Sequence, residues 1–264
     1  LKDIGLRCYP CGGFVRKKEG NLKFQTLAGL RSRLEIDKEI SGYIVSTNYM
    51  KNQLERYGFI KNKIFLNELY LYNLHEKTKV QKDFNRILFA GQLIRGKGLD
   101  LLLSSLSKSP SNLVLDICGE GKLREEMERL SVRLSISNRV HFHGHLSAHA
   151  LYSLYERASV VVMPSQVPET FALSGLDARA YNCLIFAADV GGISHWLVPG
   201  ESGALFKTGS IKELADLFRR YNEGEFSSLM QNMEYTREDF INRYDKKRHV
   251  NKLLNSFSKI MDGQ

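Results

Sequence analysis

From residue 86 onward, short apolar runs alternate with longer stretches in which charged residues interrupt the apolar ones. The first pattern predicts buried strands, and the second predicts helices with one face on a core. The predicted strands span residues 86–90, 112–118, 139–143, 159–163 and 184–187, and the predicted helices span 98–107, 122–134, 147–157, 172–182, 211–222 and 236–261. This alternation predicts an α/β protein with a parallel, doubly wound sheet.

The first third of the chain follows the pattern less clearly. It predicts a helix over residues 22–41, a short strand over 43–47, a second helix over 47–57 and a polar linker over 73–84. Thr47 or Asn48 is expected to cap the second helix, because both side chains accept hydrogen bonds from free helical N–H groups.

Doubly wound sheets bind ligands in the loops that follow the carboxyl ends of their strands. The first such loop, Gly91–Gly98, reads GQLIRGKG and is one residue short of a P-loop. Gly98 stands where Ser or Thr would hold magnesium. Lys97 supplies a point charge that suits a phosphate. We therefore expect this loop and a helix N-terminus to hold a diphosphate, with no magnesium required.

Two carboxylates mark the loop and helix after the fourth predicted strand. Glu169 stands just before the helix, and Asp177 lies two turns inside it. The carboxylate of Glu169 suits a sugar hydroxyl, and the free N–H groups of residues 171–173 suit an anion. Asp177 is placed to accept from a further pair of hydroxyls, such as a ribose diol.

Composition is ordinary for a soluble globular protein, with 43% hydrophobic and 25% charged residues. No apolar run approaches the ~18–20 residues that a membrane-spanning helix needs. The net charge of +9 is concentrated in residues 1–80, which carry +7. A basic first third fits either a solvated surface or an anionic partner, and Arg16–Lys18 is the candidate contact with an anionic membrane. No interleaving of aromatic and basic residues supports nucleic-acid binding.

Two patterns invite a metal interpretation. Cys8 and Cys11 form a C-x-x-C, but no second pair completes a four-ligand zinc site. His141, His143 and His145 would place three imidazoles on one face of a strand. We expect no metal at either place, and we expect the cysteines to be unpaired thiols.

Several short motifs occur in a fixed order between residues 84 and 206. They are G-x-L-x-x-x-K-G at Gly91–Gly98, G-x-G-x-L-R at Gly119–Arg124, F-x-G at Phe142–Gly144, E-x7-D at Glu169–Asp177 and V-G-G-I at Val190–Ile193. In their joint order and spacing they resemble a GT-B glycosyltransferase of glycosyltransferase family 4, the glycosyl transferases group 1 type. Residues 1–72 more weakly resemble the second half of the N-terminal domain of that fold. The chain begins with Leu rather than Met, and we expect it to be a fragment that lacks the first part of this domain.

The resemblance implies a retaining hexosyltransferase that moves a sugar from a UDP- or GDP-sugar to a glycan or lipid-linked acceptor in polysaccharide biosynthesis. It implies no metal and no cofactor besides the sugar donor. The location implied is cytoplasmic, with possible peripheral attachment to the inner membrane face. Lys97 would contact the leaving diphosphate, Glu169 the sugar and Asp177 the ribose. Further contacts with the sugar donor are expected at Gly91, Gln92, Arg95, Gly119, Gly121, His145, Leu146, Thr170, Phe171, Ala172 and Leu173.

The resemblance also divides the chain into three parts. Residues 1–83 would form a partial N-terminal, acceptor-side domain with its linker. Residues 84–235 would form a nucleotide-sugar-binding Rossmann-like domain, and residues 236–264 a helix that returns toward the N-terminal domain. The acceptor site would lie largely in the missing half, and the chain alone is expected to be unable to turn over substrate.

Four positions depart from the family pattern. Gln92 replaces the usual Arg, Ala172 the usual Gly, Asp177 the usual Glu, and His195 the Glu that usually follows Gly-Gly. Arg95 is a candidate replacement for the cation missing at position 92. These departures motivate one alternative, a degenerate module that binds nucleotide sugar without chemistry. A second alternative, an NAD-dependent oxidoreductase, is disfavoured because the Gly119–Arg124 turn lacks the third glycine of that fingerprint.

Overall fold

The computed structural model describes residues 15–18, 21–24, 27–72 and 81–262. Its first elements are β1 (Val15–Lys18), β2 (Asn21–Phe24), α1 (Leu27–Lys38), β3 (Tyr43–Val45), α2 (Asn48–Arg56) and β4 (Ile64–Leu66). β1 pairs antiparallel with β2, and β3 pairs parallel with β4. The helix predicted from residue 22 is wrong in its first turn, because residues 21–24 pair as a strand. A short apolar run fits either structure, and only pairing decides between them.

The remaining elements alternate as the sequence predicts up to residue 188, after which a further strand and consecutive helices follow. They are β5 (Asp83–Ala90), α3 (Leu99–Leu106), β6 (Val114–Cys118), α4 (Arg124–Arg133), β7 (Val140–Gly144), α5 (Ala148–Arg157), β8 (Ala158–Met163), α6 (Leu173–Ala180), β9 (Leu184–Ala188), β10 (Gly203–Phe206), α7 (Ile211–Asn222), α8 (Ser227–Tyr235), α9 (Arg237–Arg243) and α10 (Lys246–Met261).

Six of these strands form one parallel sheet in the order β10-β9-β8-β5-β6-β7. The chain starts in the middle at β5, builds outward through β6 and β7, then crosses back to β8 and builds the other half. The predicted parallel, doubly wound α/β fold is confirmed. The strand order reverses between β5 and β8, which makes that gap the switch point of the sheet.

The sheet has a hydrophobic core on each face. Ile87 and Phe89 of β5 contribute to the core beneath α3, α4 and α7, while Leu88 contributes to the core beneath α5 and α6. β8 is buried at every position from Ala158 to Met163. A strand buried on both faces reads as a continuous apolar run, which explains why the sequence signal of β8 is so clear.

The C-terminal region departs from the sequence prediction. The sequence analysis missed β10 and α8 here, as it missed β1 and β4 in the first third of the chain, and the helix predicted over 236–261 is two helices. The break comes at Tyr244, which is buried, and at Asp245, whose carboxylate accepts from the N–H groups of Lys247 and Arg248 and so caps α10. Within the described ranges, no helix is long and apolar enough to cross a bilayer.

Candidate functional site

A cleft of about 400 Å³ opens at the switch point of the sheet. The loop after β5 and the loop after β8 form two of its walls, as expected where the strand order reverses. Eight of the predicted residues line it: Gly91, Gln92, Lys97, Glu169, Thr170, Phe171, Ala172 and Leu173. Leu69, from the N-terminal part of the chain, and Ser165 line it too, and the sequence analysis did not identify either.

Lys97 and Glu169 form an ion pair in this cleft. The Lys97 Nζ lies 2.7 Å from Glu169 Oε1, and the two side chains are 31% and 15% exposed. The Ser165 hydroxyl donates to the same oxygen at 2.5 Å. The site therefore places one cation and one carboxylate in contact, both partly shielded from water, where their interactions with a ligand are stronger than at an open surface.

Gly98 has a backbone reason to be glycine. Its φ is +71°, and a Cβ built on it would lie 1.9 Å from the Pro164 carbonyl oxygen. The N–H of Gln166 donates to the Gly96 carbonyl at 2.7 Å, so the two loops lie directly against each other. No Ser or Thr side chain fits at position 98, and the loop is not a P-loop with a magnesium ligand.

Gly119 and Gly121, which follow β6, pack closely against the backbone of the Gly91–Gly98 loop. A Cβ on Gly119 would lie 1.9 Å from the Gly91 oxygen, and one on Gly121 would lie 2.2 Å from the Leu93 oxygen. The Gly91 N–H also donates to the Cys118 carbonyl at 2.9 Å. These two glycines do not line the cleft, and their predicted contact with a nucleotide base remains a prediction.

The N-terminus of α6 faces the same cleft. Ala172 precedes the helix in the left-handed conformation, with φ +68° and ψ +69°. α6 begins at Leu173, so the backbone N–H groups that lack helical partners include those of Leu173 and Ser174, slightly further along than the predicted 171–173. Both residues line the cleft. This helix end offers donors and a positive partial charge to an anion.

Three consecutive carbonyl groups of the Glu169 segment are held by other parts of the chain. The Gly192 N–H donates to the Glu169 oxygen at 2.7 Å, and the Thr47 hydroxyl donates to the Thr170 oxygen at 3.0 Å. The Trp196 indole N–H donates to the Phe171 oxygen at 2.6 Å. The backbone beside the Glu169 carboxylate is therefore fixed from two sides. The sequence analysis placed Gly192 in the V-G-G-I motif without predicting this contact, and it predicted Thr47 only as a helix cap.

Thr47 serves both functions at once. Its oxygen accepts from the Met50 N–H at 3.3 Å, which caps α2 as predicted, while its hydroxyl proton goes to Thr170. Gly192 lies against it, and a Cβ there would lie 2.8 Å from the Thr47 methyl and 2.2 Å from the Thr170 oxygen. The start of α2 therefore packs directly on the cleft wall.

Asp177 lies on α6 but does not line the cleft. Burial raises the pKa of its carboxyl group to about 6. Its negative charge in turn raises the pKa values of Tyr152 and Tyr155, for which burial is the larger cause. In the part of the chain that the structure describes, no hydrogen bond or ion pair satisfies this carboxylate.

The remaining predicted residues lie around the cleft rim or outside it. Arg95 is exposed in its loop, and His145 is exposed with its N–H 3.4 Å from Glu120 Oε1. Leu146 packs against the core beneath α5 and α6. None of these three lines the cleft, and the proposed role of Arg95 in replacing the missing cation remains untested.

No metal cluster forms among the described residues, where no three His, Cys, Asp or Glu side chains gather around one point. His143 instead contacts Asp116, with 2.7 Å between Nε2 and Oδ1. Cys8 and Cys11 lie outside the described residues, as do the side chains of Arg16–Lys18. A second cavity, about 720 Å³, lies beside α7 and the end of α3, and none of the predicted site residues lines it.

Comparison with known proteins agrees with this architecture. The sequence profile of glycosyl transferases group 1 matches residues 72–240. An uncharacterized glycosyltransferase of Methanocaldococcus jannaschii is 35% identical over 123 residues, which is 46% of this chain and 31% of that protein. D-inositol 3-phosphate glycosyltransferase of Mycolicibacterium smegmatis is 32% identical over 147 residues, or 54% of this chain and 34% of that protein. The matched regions thus span about a third of the length of these relatives.

Solved structures show the same fold at low sequence identity. Anabaena HepE in complex with UDP superposes with a TM-score of 0.77 at 16% identity, covering 88% of this chain and 68% of HepE. A mutant of S. aureus TarM, in a complex that includes UDP, gives 0.75 at 19% identity, covering 92% and 49%. The fold is that of the GT-B glycosyltransferases, and the expected resemblance is confirmed. The chain belongs to the glycosyl transferases group 1 family.

Proposed function

We propose that this protein is a retaining, metal-independent glycosyltransferase. It would transfer a hexose-type sugar from a nucleotide-diphosphate donor to a glycan or lipid-linked acceptor in polysaccharide biosynthesis. The observation that carries the proposal is the contact between Lys97 and Glu169 in a cleft at the switch point, beside the N-terminus of α6. A cation, a carboxylate and a helix end are the groups that a sugar diphosphate requires.

Lys97 would stabilise the leaving diphosphate. As the bond between sugar and phosphate breaks, negative charge builds on the diphosphate oxygen. Lys97 Nζ and the free N–H groups at Leu173 and Ser174 are already oriented toward the cleft, so little reorganisation is needed. Removing one such preorganised group typically lowers turnover by ~10²–10³-fold.

Glu169 would bind the sugar. Its carboxylate accepts from Lys97 and Ser165 through Oε1, which leaves Oε2 for a sugar hydroxyl. A diphosphate bound beside Lys97 would share the charge of that side chain and loosen the ion pair. Binding of the sugar donor would therefore increase the capacity of Glu169 to accept from the sugar, and the two residues would act as one unit.

Asp177 is proposed to accept from the ribose hydroxyls. Its pKa of about 6 means that it is mostly ionised at pH 7.5 and mostly protonated below pH 5. A protonated carboxyl loses its negative charge and becomes a weaker acceptor, with one O–H donor in place of a lone pair. We therefore expect the affinity for nucleotide to fall as the pH is lowered through 6.

The absence of a magnesium requirement is proposed from Gly98. A magnesium ion at a P-loop is held by the Ser or Thr hydroxyl that follows the Lys, and the Pro164 carbonyl fills that space here. Charge on the diphosphate must then be balanced by Lys97 and by the helix dipole. Adding magnesium should change the affinity for nucleotide little.

The base and the acceptor are proposed from the relatives. HepE has been crystallised with UDP and with UDP-glucose, which favours a UDP-sugar here over a GDP-sugar. One similar protein of Salmonella typhimurium is a lipopolysaccharide 1,2-N-acetylglucosaminetransferase, and it motivates a glycan or lipid-linked acceptor. A cytoplasmic setting at the inner membrane face is proposed from the family resemblance alone.

A second candidate function is binding of nucleotide sugar without transfer. The strained Ala172 favours it, because a methyl group stands where the backbone would approach the sugar donor. Both candidates predict nucleotide binding, and only the first predicts hydrolysis or transfer by the full-length protein. Turnover of a UDP-sugar by the full-length protein would exclude the second candidate.

The first experiment is calorimetric titration of UDP, GDP, ADP and CMP into this chain, with EDTA and then with magnesium. We expect one diphosphate to bind, with an affinity that magnesium leaves within threefold. Lys97→Ala should weaken that binding by at least tenfold, because it removes the cation from the cleft.

Lys212→Ala is the matched control, since Lys212 is an exposed lysine on α7 outside the cleft. It should bind as the unmodified chain does. Equal binding by Lys97→Ala and Lys212→Ala would contradict the role of Lys97. A strict magnesium requirement would contradict the metal-independent proposal.

A further inference from the structure

His195 occupies an enclosed position between three parts of the chain. It ends a single 3-10 turn at Ile193–His195, and its side chain is only 8% exposed. The N–H of Asn48, the first residue of α2, donates to its Nδ1 at 3.4 Å. Its Nε2 lies 3.3 Å from Glu68 Oε1, in the segment that follows β4.

These two contacts define which ring nitrogen accepts and which one donates. A backbone N–H can only donate, so Nδ1 of His195 must be unprotonated where it accepts from Asn48. In a neutral imidazole the proton then resides on Nε2, which donates it to Glu68. A single neutral tautomer therefore satisfies both partners, and the ring acts as a bridge between a helix N-terminus and a carboxylate.

Glu68 fixes the other end of the bridge. The hydrogen bond from His195 is the largest cause that lowers the pKa of Glu68 to about 2, and Lys252 contributes as well. Lys252 Nζ lies 3.0 Å from Oε2, and Arg243 lies 3.5 Å from Oε1. The carboxylate stays ionised and joins α9 and α10 to the segment after β4.

The turn that contains His195 also forms a hydrogen bond with the wall of the cleft. Three residues before it, the Gly192 N–H donates to the Glu169 carbonyl. One residue before its partner Asn48, the Thr47 hydroxyl donates to the Thr170 carbonyl. The bridge from Asn48 through His195 to Glu68 thus ties together two of the three groups that hold the backbone of the Glu169 segment, Gly192 and Thr47.

We propose that His195 is a positioning residue, which couples docking of the N-terminal part of the chain to the geometry of Glu169. It acts through the turn at 191–195 and through the start of α2, and it does not touch the sugar donor itself. The role rests on the proposed function, because it is of catalytic interest only if Glu169 binds the sugar.

The pair of His195 and Glu68 also gives a physical reason for one departure from the family pattern. A Glu at position 195 could accept from the Asn48 N–H but would bring a second carboxylate against Glu68. Two enclosed carboxylates in contact repel each other unless one is protonated. With Glu68 present, position 195 needs a side chain that accepts on one side and donates on the other, and a neutral His does both.

The test compares two replacements of similar size in this chain. His195→Gln keeps one acceptor and one donor, whereas His195→Leu keeps neither. The readout is the amide hydrogen-exchange rate of Gly192, measured by NMR without nucleotide, because this N–H reports directly on the bond to Glu169. We expect exchange in His195→Leu to be at least tenfold faster than in the unmodified chain, and exchange in His195→Gln to stay within threefold of it.

A charge exchange provides the second arm. His195→Glu should speed Gly192 exchange by at least tenfold, and adding Glu68→Gln should restore it, since Gln can donate to the new carboxylate. Equal exchange in His195→Leu and His195→Gln would overturn the proposal, and so would a double variant no slower than His195→Glu alone. If His195→Glu fails to fold, recovery of the fold in the double variant is the same supporting result, and failure of both to fold overturns it.

Nucleotide binding separates this inference from the proposed function. The exchange measurements require no ligand, so absence of UDP binding by the unmodified chain would contradict the proposed function alone. If the chain binds UDP, His195→Leu should weaken binding by about tenfold and His195→Gln by less than threefold. Unchanged UDP affinity in His195→Leu, despite faster Gly192 exchange, would overturn the coupling to the cleft.

Discussion

Ala172 is the residue at which the sequence and the backbone conflict most directly. It is one of three non-glycine residues with positive φ in the described ranges, and it stands immediately before α6 at the edge of the cleft. The left-handed conformation brings Cβ too close to the following carbonyl oxygen, and it costs an L-residue about 1–2 kcal/mol. Glycine avoids that cost because it has no Cβ. Ala172→Gly is therefore the perturbation to make.

The magnitude follows from a comparison between two identical substitutions. Ala172→Gly relieves about 1–2 kcal/mol of strain in the folded state. It also raises the conformational entropy of the unfolded chain and removes a partly buried methyl group, and both of these changes lower stability. Ala215→Gly, in the middle of α7, carries the same two losses with no strain to relieve. The losses cancel in the difference, so Ala172→Gly should be more stable than Ala215→Gly by about 1–2 kcal/mol.

Urea unfolding followed by circular dichroism measures this difference. The two variants should share the same slope with denaturant and differ in midpoint, because only stability changes. Equal free energies of unfolding would refute the reasoning, since they would mean that Ala172 carries no strain in solution. A lower stability for Ala172→Gly would refute it as well.

Three further predictions concern other parts of the site. Gly98→Ser should destabilise the chain by more than about 2 kcal/mol in urea unfolding, because position 98 has a positive φ and a side chain there would overlap the Pro164 oxygen. A stable variant that gains magnesium-dependent nucleotide binding would contradict the conclusion that no side chain fits at this position. Asp177→Asn should stabilise the chain at pH 7.5 by up to about 3 kcal/mol but not at pH 4. Because burial raises the pKa of the Asp177 carboxyl to about 6, the stability of the unmodified chain falls as the pH rises from about 4 through 6. An equal effect of the substitution at both pH values would contradict this prediction. The unmodified chain should lose stability as the pH falls from about 4.5 to about 2, because the ionised Glu68 carboxylate, whose pKa is lowered to about 2, stabilises the fold only above that range. Glu68→Gln should abolish this pH dependence. Parallel curves of stability against pH for the two proteins over this range would contradict the prediction.

The sequence by itself determined the local elements and the chemistry of the loops. Periodicity and glycine placement are local signals, and they located most strands after residue 83 and the loops that follow them. Lys97 and Glu169 were identified because both lie in loops that follow predicted parallel strands, within a series of motifs whose order and spacing resemble one enzyme family. The N-cap at Thr47 was predicted for the same kind of reason, from the side chain alone.

Only the tertiary structure decided which of these local features meet. Strand order is not encoded by periodicity, and the placement of β8 beside β5 is what brings Lys97 to 2.7 Å from Glu169, across 72 positions of sequence. The same holds for His195 and Glu68, which are 127 positions apart. Residues 21–24 became a strand, and Ala172 entered a left-handed conformation, because pairing and packing outweighed local preference. Contacts between distant segments depend on how whole elements pack, and a single sequence carries no local signal of that packing.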